Sequence, residues 1–303
     1  MKGLLGRFRD RTPRCLGLAC HDRGFGLARV EPDAAYCDTP EDPDALEQTV
    51  RRQRLGRHSA HLVLDEGTFR LLPTEQPDVP EAERGEAIRW QVADLVDFDV
   101  THAVIDFCPM GDGVSHHGKP MVFAAVAPAD HVRRAIHSVR RAGLRVASVG
   151  LPELALRNLA ARLPEAVSGL VLLYARARSA TILLVYGTHL FVARHVDVAI
   201  DDDGAGGPDT LLLEIQRALD YYDGHFALPP IRNLAVMGDM PVEDEALGYL
   251  SSQLRMEARW IPLSRFAEGL PEGGAGCARA LGAAFGPPEP SPAPPPENAA
   301  GGA

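Results

Sequence analysis

The hydrophobic pattern begins with two short apolar runs separated by a turn. Residues 16–30, LGLACHDRGFGLARV, form two alternating runs joined at Asp22-Arg23-Gly24, a pattern typical of a β-hairpin. Residues 168–198 contain three further runs of this kind, with turn residues at 176–178 and 186–188. This second segment predicts an antiparallel meander of three strands.

Segments of helical period alternate with short strands after each hairpin. In the first half, helices are predicted from Asp42, a candidate N-cap, and over 80–97 and 129–142. A helix at 152–164 leads into the meander, and helices near 210–227, 243–254 and 275–285 follow it. Both halves therefore place hairpin strands first and then alternate helix and strand.

This duplication predicts a mixed α/β (α+β) protein with a duplicated actin-like (ribonuclease H-like) fold. Two halves would surround a cleft, with a small subdomain inserted in the first half. No GxGxxG motif follows a strand, which argues against a doubly wound dinucleotide-binding fold. The predicted units are a leader (1–14), a first half (15–150) with its insert at about 75–150, a second half (151–285) and a Pro/Ala-rich tail (286–303).

The two termini differ from the rest of the chain in composition. Within residues 1–14, Met1, Leu4, Leu5 and Phe8 share one helical face, and five basic residues accompany them. This pattern favours peripheral contact with an anionic membrane, and the alternative is a solvated leader without a partner. The tail GPPEPSPAPPPENAAGGA cannot build a core and is predicted to be disordered.

Composition excludes several function classes. The net charge of −10 over 303 residues argues against a nucleic-acid partner, which would require a basic face. Five scattered cysteines without a CxxC pair predict reduced thiols in a reducing compartment, and no metal site is predicted. Since no GxSxG motif occurs, a serine-hydrolase elbow is not expected either.

Three long stretches carry a resemblance to a known family. They are PEAERGEAIRWQVADLVDFDVTHAVIDFCPM, LPELALRNLAARLP and LLLEIQRALDYYDGHFALPPIRNLAVMG. They resemble the MshI family, the PilM-like proteins with an actin-like ATPase fold in MSHA type IV pilus biogenesis. The likeness extends from about residue 14 to 285.

The resemblance implies a platform protein rather than a free enzyme. It implies a cytoplasmic scaffold at the inner face of the bacterial inner membrane that binds the N-terminal tail of a PilN-like bitopic membrane protein. Through that partner the scaffold would join PilO-like and PilP-like components and the assembly ATPase. A homo-oligomeric ring is a further implied arrangement.

The chain departs from the wider PilM pattern at both phosphate hairpins. The first hairpin of that pattern resembles GLDIGSSS; here Ala19 stands at its carboxylate and His21 at its phosphate-facing glycine. The second resembles DIGAxST, and here Tyr174 and Arg176 stand at the corresponding positions. In ATP-hydrolysing members the carboxylates position Mg²⁺ and water, and the glycines let backbone amides approach phosphate. The departures predict a pseudo-ATPase with no catalytic residues and no cofactor.

One alternative keeps a nucleotide in the cleft. Arg176 and Arg178 would then hold the phosphates of Mg-ATP by charge, whereas the competing interpretation is that these arginines fill the cleft. The adenosine-side turn of the family remains only as Gly238 in VMGDMP.

The predicted partner site lies on the inserted subdomain. On the 80–97 helix the apolar stripe includes Ile88, Val92 and Leu95, and at 100° per residue Trp90 lies about 160° from Val92. Trp90 is therefore predicted to face away from the core. As candidate partner-binding residues we take Trp90 and Phe98 as apolar anchors, and Asp94 and Asp97 as acceptors for basic tail residues. The alternative is that Trp90 packs against a strand of its own subdomain.

Overall fold

The computed structural model describes residues 15–21, 24–31, 34–56, 58–111, 119–198, 207–239, 244–271 and 276–289. The predicted leader (1–14) and most of the predicted tail (286–303) lie outside these residues. The strands are β1 (Cys15–His21), β2 (Gly24–Val30), β3 (Ala35–Asp38), β4 (Ser59–Val63), β5 (Arg70–Glu75), β6 (Ala103–Pro109), β7 (Met121–Pro128), β8 (Arg145–Gly150), β9 (Leu170–Arg176), β10 (Ser179–Tyr186), β11 (His189–Asp197), β12 (Asn233–Gly238) and β13 (Glu257–Trp260). The helices are α1 (Pro43–Arg52), α2 (Glu81–Val92), α3 (Ala129–Arg141), α4 (Pro152–Ala160), α5 (Gly207–His225), α6 (Asp244–Leu254) and α7 (Ala278–Phe285).

Two five-stranded sheets share one topology. The first has the order β3-β2-β1-β4-β8 and the second the order β11-β10-β9-β12-β13. In each sheet the first three strands pair antiparallel, and the remaining two run parallel to the first strand of the hairpin. The predicted duplication of the fold is therefore confirmed.

A three-stranded antiparallel sheet, in the order β5-β7-β6, is inserted between β4 and β8 of the first half. One face of it packs on α2, where Ile88 and Val92 meet Val122 and Val126. The alternate residues of β7, including Phe123, join the larger cores on the opposite face. The small sheet thus separates α2 from the rest of the first half, because successive strand residues point to opposite faces.

Helix α2 is shorter than the predicted 80–97 helix. It ends at Val92 and is followed by a 3₁₀ turn over Ala93–Leu95. As predicted, Ile88 and Val92 are buried, but Leu95 leaves the apolar stripe and is 58% exposed. The reason is that the chain turns here toward β6, and Val96 and Phe98 pack back onto the small core instead.

The last helix does not belong to the second half as the predicted boundary 151–285 implied. Helix α7 packs on β1 and β2 of the first sheet and on α4. Glycines allow this close approach: a Cβ at Gly17 would lie 1.7 Å from the carbonyl oxygen of Ala280, and one at Gly282 would lie 2.0 Å from that of Ala155. The other predicted domain boundaries remain predictions.

Two local predictions have clear outcomes. Asp42 caps α1, its side chain accepting a hydrogen bond from the amide of Ala45 at 2.7 Å, as the Asp-Pro start predicted. The expectation of reduced cysteines is wrong for one pair, since Cys37 and Cys277 form a disulfide with a Cα–Cα distance of 6.2 Å. This pairing depends on the contact between β3 and the start of α7, which are 240 residues apart in the chain.

Within the described ranges, no helix is both long and apolar enough to cross a bilayer.

Candidate functional site

The strand ends beside the turns of the two main hairpins meet at a cleft between the halves. This cleft is a cavity of about 530 Å³ whose described lining includes His21, Arg176, Arg178, Asp239 and Gly276. Residues 22–23, 240–243 and 272–275, which adjoin these positions in the chain, lie outside the described residues.

One carboxylate, Glu66, joins the two halves at the base of the cleft. Its Oε2 accepts from Arg176 Nη1 at 2.7 Å, and its Oε1 accepts from Arg279 Nη1 at 3.2 Å. The side chain of Arg279 is fully buried and that of Glu66 is 12% exposed. Because an unpaired buried charge is costly, this carboxylate is committed to the two guanidinium groups.

A second carboxylate, Asp239, is held in a similar way. Its Oδ1 accepts from Tyr174 Oη at 2.5 Å and from the amide of Gly276 at 3.1 Å, while its Oδ2 lies 3.6 Å from Arg176 Nε. Burial, together with the nearby Asp239 carboxylate, raises the pKa of Tyr174 well above its usual value. The phenol therefore stays protonated and donates to Asp239.

His21, at the end of β1, has a neutral ring. Burial is the main cause, with Arg279 next, of a pKa lowered to about 4. His21 Nδ1 contacts Arg279 Nη2, and Nε2 lies 2.9 Å from the carbonyl oxygen of Gly276. Since a guanidinium can only donate, Nδ1 is the acceptor and Nε2 carries the proton that bonds to Gly276.

Of the remaining predicted cleft positions, Ala19 and Gly238 play packing roles. Ala19 is fully buried between Gly26 and Val63 of the neighbouring strands. Gly238 is required by close contact between β12 and β9, because a Cβ there would lie 2.3 Å from the carbonyl oxygen of Ala175. Arg178 is exposed at the rim of the cavity. Among the residues that the structure describes, no group of three or more His, Cys, Asp or Glu side chains is arranged to hold a metal ion.

A separate groove of about 380 Å³ lies between the first sheet and the small sheet. Its walls come from β4 and β8 on one side, β6 and β7 on the other, and α4 with residues 188–190 between them; Pro287 and Pro288 also line it. Strands β6 and β8 are edge strands of their sheets. Within the described chain, neither has a second strand neighbour, although on β6 the amide of Phe107 donates to Asp106 Oδ1 at 2.9 Å and the carbonyl oxygen of Ala103 accepts from Arg89 Nη1 at 3.3 Å. The remaining backbone groups of edge strands are suited to pairing with a binding segment.

The groove has a chemistry different from that of the cleft. Val63, Phe123, Leu154 and Leu190 line it, and none of its described lining residues is Asp, Glu or Lys. Its one arginine, Arg157, donates from Nη1 to the carbonyl oxygen of Thr188 at 3.1 Å.

Burial keeps the side chains of Cys108 and His61 in their neutral forms. Burial raises the pKa of the Cys108 thiol to about 11, and burial lowers the pKa of His61, whose Nδ1 lies 2.8 Å from Ser148 Oγ. A mostly apolar groove that is bordered by two edge strands is suited to an extended peptide.

The partner-binding residues predicted from sequence do not line this groove. Trp90 is 75% exposed on α2, as the helical angle predicted, and Asp94 is exposed near it. Asp97 pairs with Arg70 at 3.3 Å, and Phe98 is half-buried against the α2 core. All four lie on the α2 side of the small sheet, whereas the groove lies on the other side. Their role in binding a partner remains a prediction.

Sequence reasoning missed the groove, although α4 contained a signal of it. The helix PELALRNLA is almost entirely buried, yet it carries Arg157 and Asn158 in its apolar sequence. Asn158 donates to the carbonyl oxygen of Gly282 at 3.0 Å and accepts from Arg157 Nε at 3.1 Å. Two adjacent polar residues in a buried helix indicate that the helix lines a cavity or contacts a second helix. Here Arg157 and Asn158 both line the groove, and Asn158 also bonds to α7.

Comparison with known proteins identifies the architecture. No protein-family model matches the chain, and no curated protein matches it in sequence. A solved structure of a PilM-PilN type IV pilus biogenesis complex matches 91% of this chain and 98% of its own chain, with 20% identity and a TM-score of 0.70. The fold is actin-like.

Two further structures agree with this assignment. The cytoplasmic domain of EpsL, an inner-membrane component of the type II secretion system of Vibrio cholerae, matches 82% of this chain and 89% of its own, with 14% identity and a TM-score of 0.53. A protein of unknown function from Bacteroides thetaiotaomicron with an actin-like ATPase fold matches 82% of this chain and 91% of its own, with 8% identity and a TM-score of 0.50.

Proposed function

We propose that this chain is a PilM-like, MshI-type scaffold of an MSHA-type pilus assembly platform at the cytoplasmic face of the inner membrane. It binds the N-terminal tail of a PilN-like membrane protein and does not hydrolyse ATP. The observation that carries the proposal is the contrast between an ion-paired cleft and an open groove with two strand edges. The match to a PilM-PilN complex over nearly the whole chain supports it.

The tail binds in the groove by strand addition. Its backbone pairs with the edge of β6 or β8, and its apolar side chains enter between Phe123, Leu154 and Leu190. The absence of carboxylates among the described lining residues leaves specificity to shape and backbone pairing. Through the partner, the scaffold joins PilO-like and PilP-like components and the assembly ATPase, and copies of it form a ring.

In this proposal the cleft has a structural role, because its ion pairs hold the two halves together. Glu66 and Asp239 are already bonded to Arg176, Arg279 and Tyr174, so neither is available to position Mg²⁺ without breaking a buried pair. One observation favours the alternative of a bound nucleotide: the cavity of about 530 Å³ persists beside Arg178, which is exposed at its rim. In that alternative Arg176 and Arg178 hold the phosphates.

Titration with a partner peptide tests the proposal. A fluorescently labelled N-terminal tail of the PilN-like protein from the same genome is titrated with the full-length chain, with a scrambled tail of equal composition as control. We expect saturable binding of the native tail only. Equal binding of both peptides, or of neither, contradicts the proposal.

A further inference from the structure

The outer face of α2 exposes a tryptophan among carboxylates. Trp90 is 75% exposed, and the exposed residues Glu83 and Glu86 lie within about 40° of it around the helix at 100° per residue. Asp94, four residues after Trp90, is exposed in the 3₁₀ turn that follows. We call these four residues the α2 face.

Folding explains the chemistry of the α2 face only in part. A glutamate in the first turn of a helix complements the helix dipole, which accounts for Glu83, and Glu86 lies 3.4 Å from Arg89. Asp94 lies beyond the end of α2, and within the described residues no basic side chain pairs with it. A largely exposed tryptophan contributes little to the core, whereas tryptophan is a typical anchor of protein interfaces. The α2 face is therefore a candidate interaction surface.

A cavity of about 540 Å³ lies where α1 and α3 end. Its described lining includes three exposed arginines, Arg51, Arg54 and Arg141, and the apolar side chains of Val50 and Ala142. We call it the arginine cavity. An opening lined by both apolar side chains and guanidinium groups suits an aromatic ring, because arginine stacks on aromatic faces.

The carboxylates around the arginine cavity do not occupy all of its arginines. Arg51 pairs with Glu47 at 2.5 Å, and Arg141 lies 3.7 Å from Asp44. Within the part of the chain that the structure describes, the Arg54 guanidinium pairs with no carboxylate. Exposed pairs of this kind contribute little to stability, so that their guanidinium groups can turn toward the carboxylates of another molecule.

Arg54 occupies a backbone position that favours glycine. Its φ is 56°, and α1 closes there in a Schellman motif, in which the amide of Leu55 donates to the carbonyl oxygen of Val50 at 2.9 Å. Helix α3 closes in the same way with Gly143, at φ 85°. The left-handed conformation costs less for glycine than for arginine. Helix termination therefore does not explain why a long cationic side chain stands at this position.

The small sheet separates the α2 face from the arginine cavity. Helix α2 packs on the face of this sheet that carries Val122 and Val126. Helix α3, whose last turn borders the cavity, packs on the opposite face, where Ala125 and Ala127 share a core with Val132. A contact between the α2 face and the arginine cavity therefore joins two copies of the chain rather than two parts of one copy.

We propose that the α2 face of one copy docks into the arginine cavity of the next copy. Trp90 enters the cavity and stacks against its guanidinium groups. Glu86 and Asp94, on either side of the tryptophan, pair with arginines of the cavity. The cavity volume of about 540 Å³ lies in the range that takes a small organic ligand, so that an indole ring fits within it.

Charge complementarity favours a second copy as the occupant. The α2 face is acidic, so that an anionic bilayer or a nucleic acid would repel it, whereas the arginine cavity offers opposite charge and an opening for the aromatic ring. Because the contact joins two different surfaces, it repeats from copy to copy and closes into a ring where the rotation between copies allows. The inference rests on the ring of the proposed function, for which it names the contact.

Sedimentation velocity of the full-length chain, without any peptide, tests this contact. Over a concentration series from about 1 µM to about 500 µM, we expect the mean mass of wild type to rise. One variant, Trp90→Ala, removes the anchor, and a second, which we call the cavity variant, combines Arg54→Gly with Arg141→Gln. Because loss of a central interface anchor weakens binding by about 30-fold or more, we expect each variant to raise the Kd of self-association by at least that factor.

Mixing the two variants distinguishes this contact from a symmetric one. Trp90→Ala retains its arginine cavity, and the cavity variant retains its α2 face. An equimolar mixture therefore contains one functional pair of surfaces, and we expect a dimer with one copy of each variant and no larger species. A contact through a single self-complementary surface would not be restored by mixing.

Two control variants remove comparable side chains from the second half. Leu213→Ala truncates a residue of α5 that is 46% exposed. Arg255→Gly combined with Arg232→Gln removes two exposed arginines, and Arg255 has the same left-handed backbone as Arg54, with φ 53°. We expect both controls to self-associate within about threefold of wild type, because residues outside an interface contribute little to it.

Circular dichroism and unaltered binding of the PilN-like tail show that all variants are folded, so that failure of this inference is distinct from failure of the tail-binding proposal. Four results overturn the inference. They are a wild type that stays monomeric over the whole series, undiminished association of either test variant, equal loss in test and control variants, and a mixture of the test variants that forms no dimer. Weaker tail binding by Trp90→Ala would assign the α2 face to the tail instead.

Discussion

The cleft and the groove are two cavities of similar origin with opposite chemistry. Each lies between a main sheet and a neighbouring unit, but the cleft contains carboxylates and guanidinium groups that are bonded to each other, whereas the described lining of the groove is mostly apolar, contains no carboxylate and includes residues of the edge strands β6 and β8. A cavity whose charges are internally compensated gains little from a ligand, because binding must first break those pairs. A cavity bordered by edge strands can gain backbone hydrogen bonds from an extended ligand. The two cavities of this fold therefore differ in how many of their charged groups are already paired within the protein.

Removing Glu66 is the change expected to have the largest effect on this contrast. Glu66→Ala leaves the fully buried Arg279 without its carboxylate partner, which is expected to cost about 3–5 kcal/mol in the free energy of unfolding. Urea denaturation measures the loss. Glu47→Ala, which removes an exposed pair with Arg51, is the matched control and is expected to cost less than about 1 kcal/mol. Equal effects of the two substitutions would show that the ion pairs of the cleft do not stabilise the contact between the two halves.

The groove can be tested against the site predicted from sequence. Leu154→Arg places a long charged side chain in the groove and is expected to weaken binding of the PilN-like tail by at least about 30-fold, which corresponds to about 2 kcal/mol. Trp90→Ala, on the far side of the small sheet, is expected to change binding by less than about twofold. Fluorescence titration of folded variants measures both. The reverse order of effects would return the partner site to α2.

Because His21 is neutral in the folded protein, we expect it to make the free energy of unfolding depend on pH. Its pKa is about 4 in the folded protein and about 6.5 unfolded, so the unfolded state binds the extra proton between these values. The stabilising contribution is therefore fully present above pH 6.5 and is lost as the pH falls toward 4, by about 2–3 kcal/mol.

The measurement compares wild type with His21→Gln at each pH. Glu153 has the opposite dependence, since burial raises its pKa to about 7, and this contribution cancels in the difference between the two proteins. We expect the wild-type advantage in urea denaturation to shrink as the pH is lowered from 6.5 to 4. A constant difference would show that His21 is not held neutral in the cleft.

The smallest expected effect is the response to nucleotide. Because both cleft carboxylates are occupied, Mg-ATP at millimolar concentration is expected to leave the thermal unfolding midpoint unchanged and to release no phosphate. A ligand at one hundred times its Kd would instead add about 2.7 kcal/mol. Stabilisation by Mg-ATP that disappears in Arg176→Ala would favour the nucleotide-binding alternative.

The periodicity of the sequence was sufficient to predict the duplicated order of hairpin strands, helices and strands. The two hairpins, the alternation of helix and strand after each, and the burial of Ile88 and Val92 all follow from local patterns. These features depend on contacts between residues close in the chain, or on which face of a single helix or strand is apolar. The spacing of apolar and polar residues along the chain determines both. The exposure of Trp90 followed from the same helical geometry.

Only the tertiary structure could decide what the cavities contain. Glu66, Arg176 and Arg279 are separated by more than one hundred residues from one to the next, and no local pattern pairs them. The same holds for the disulfide between Cys37 and Cys277 and for the seating of α7 against Gly17. Spacing along the chain determines which face of an element is apolar. Which polar groups of distant elements meet, and which strand edges stay open, depends on how those faces are brought together in space.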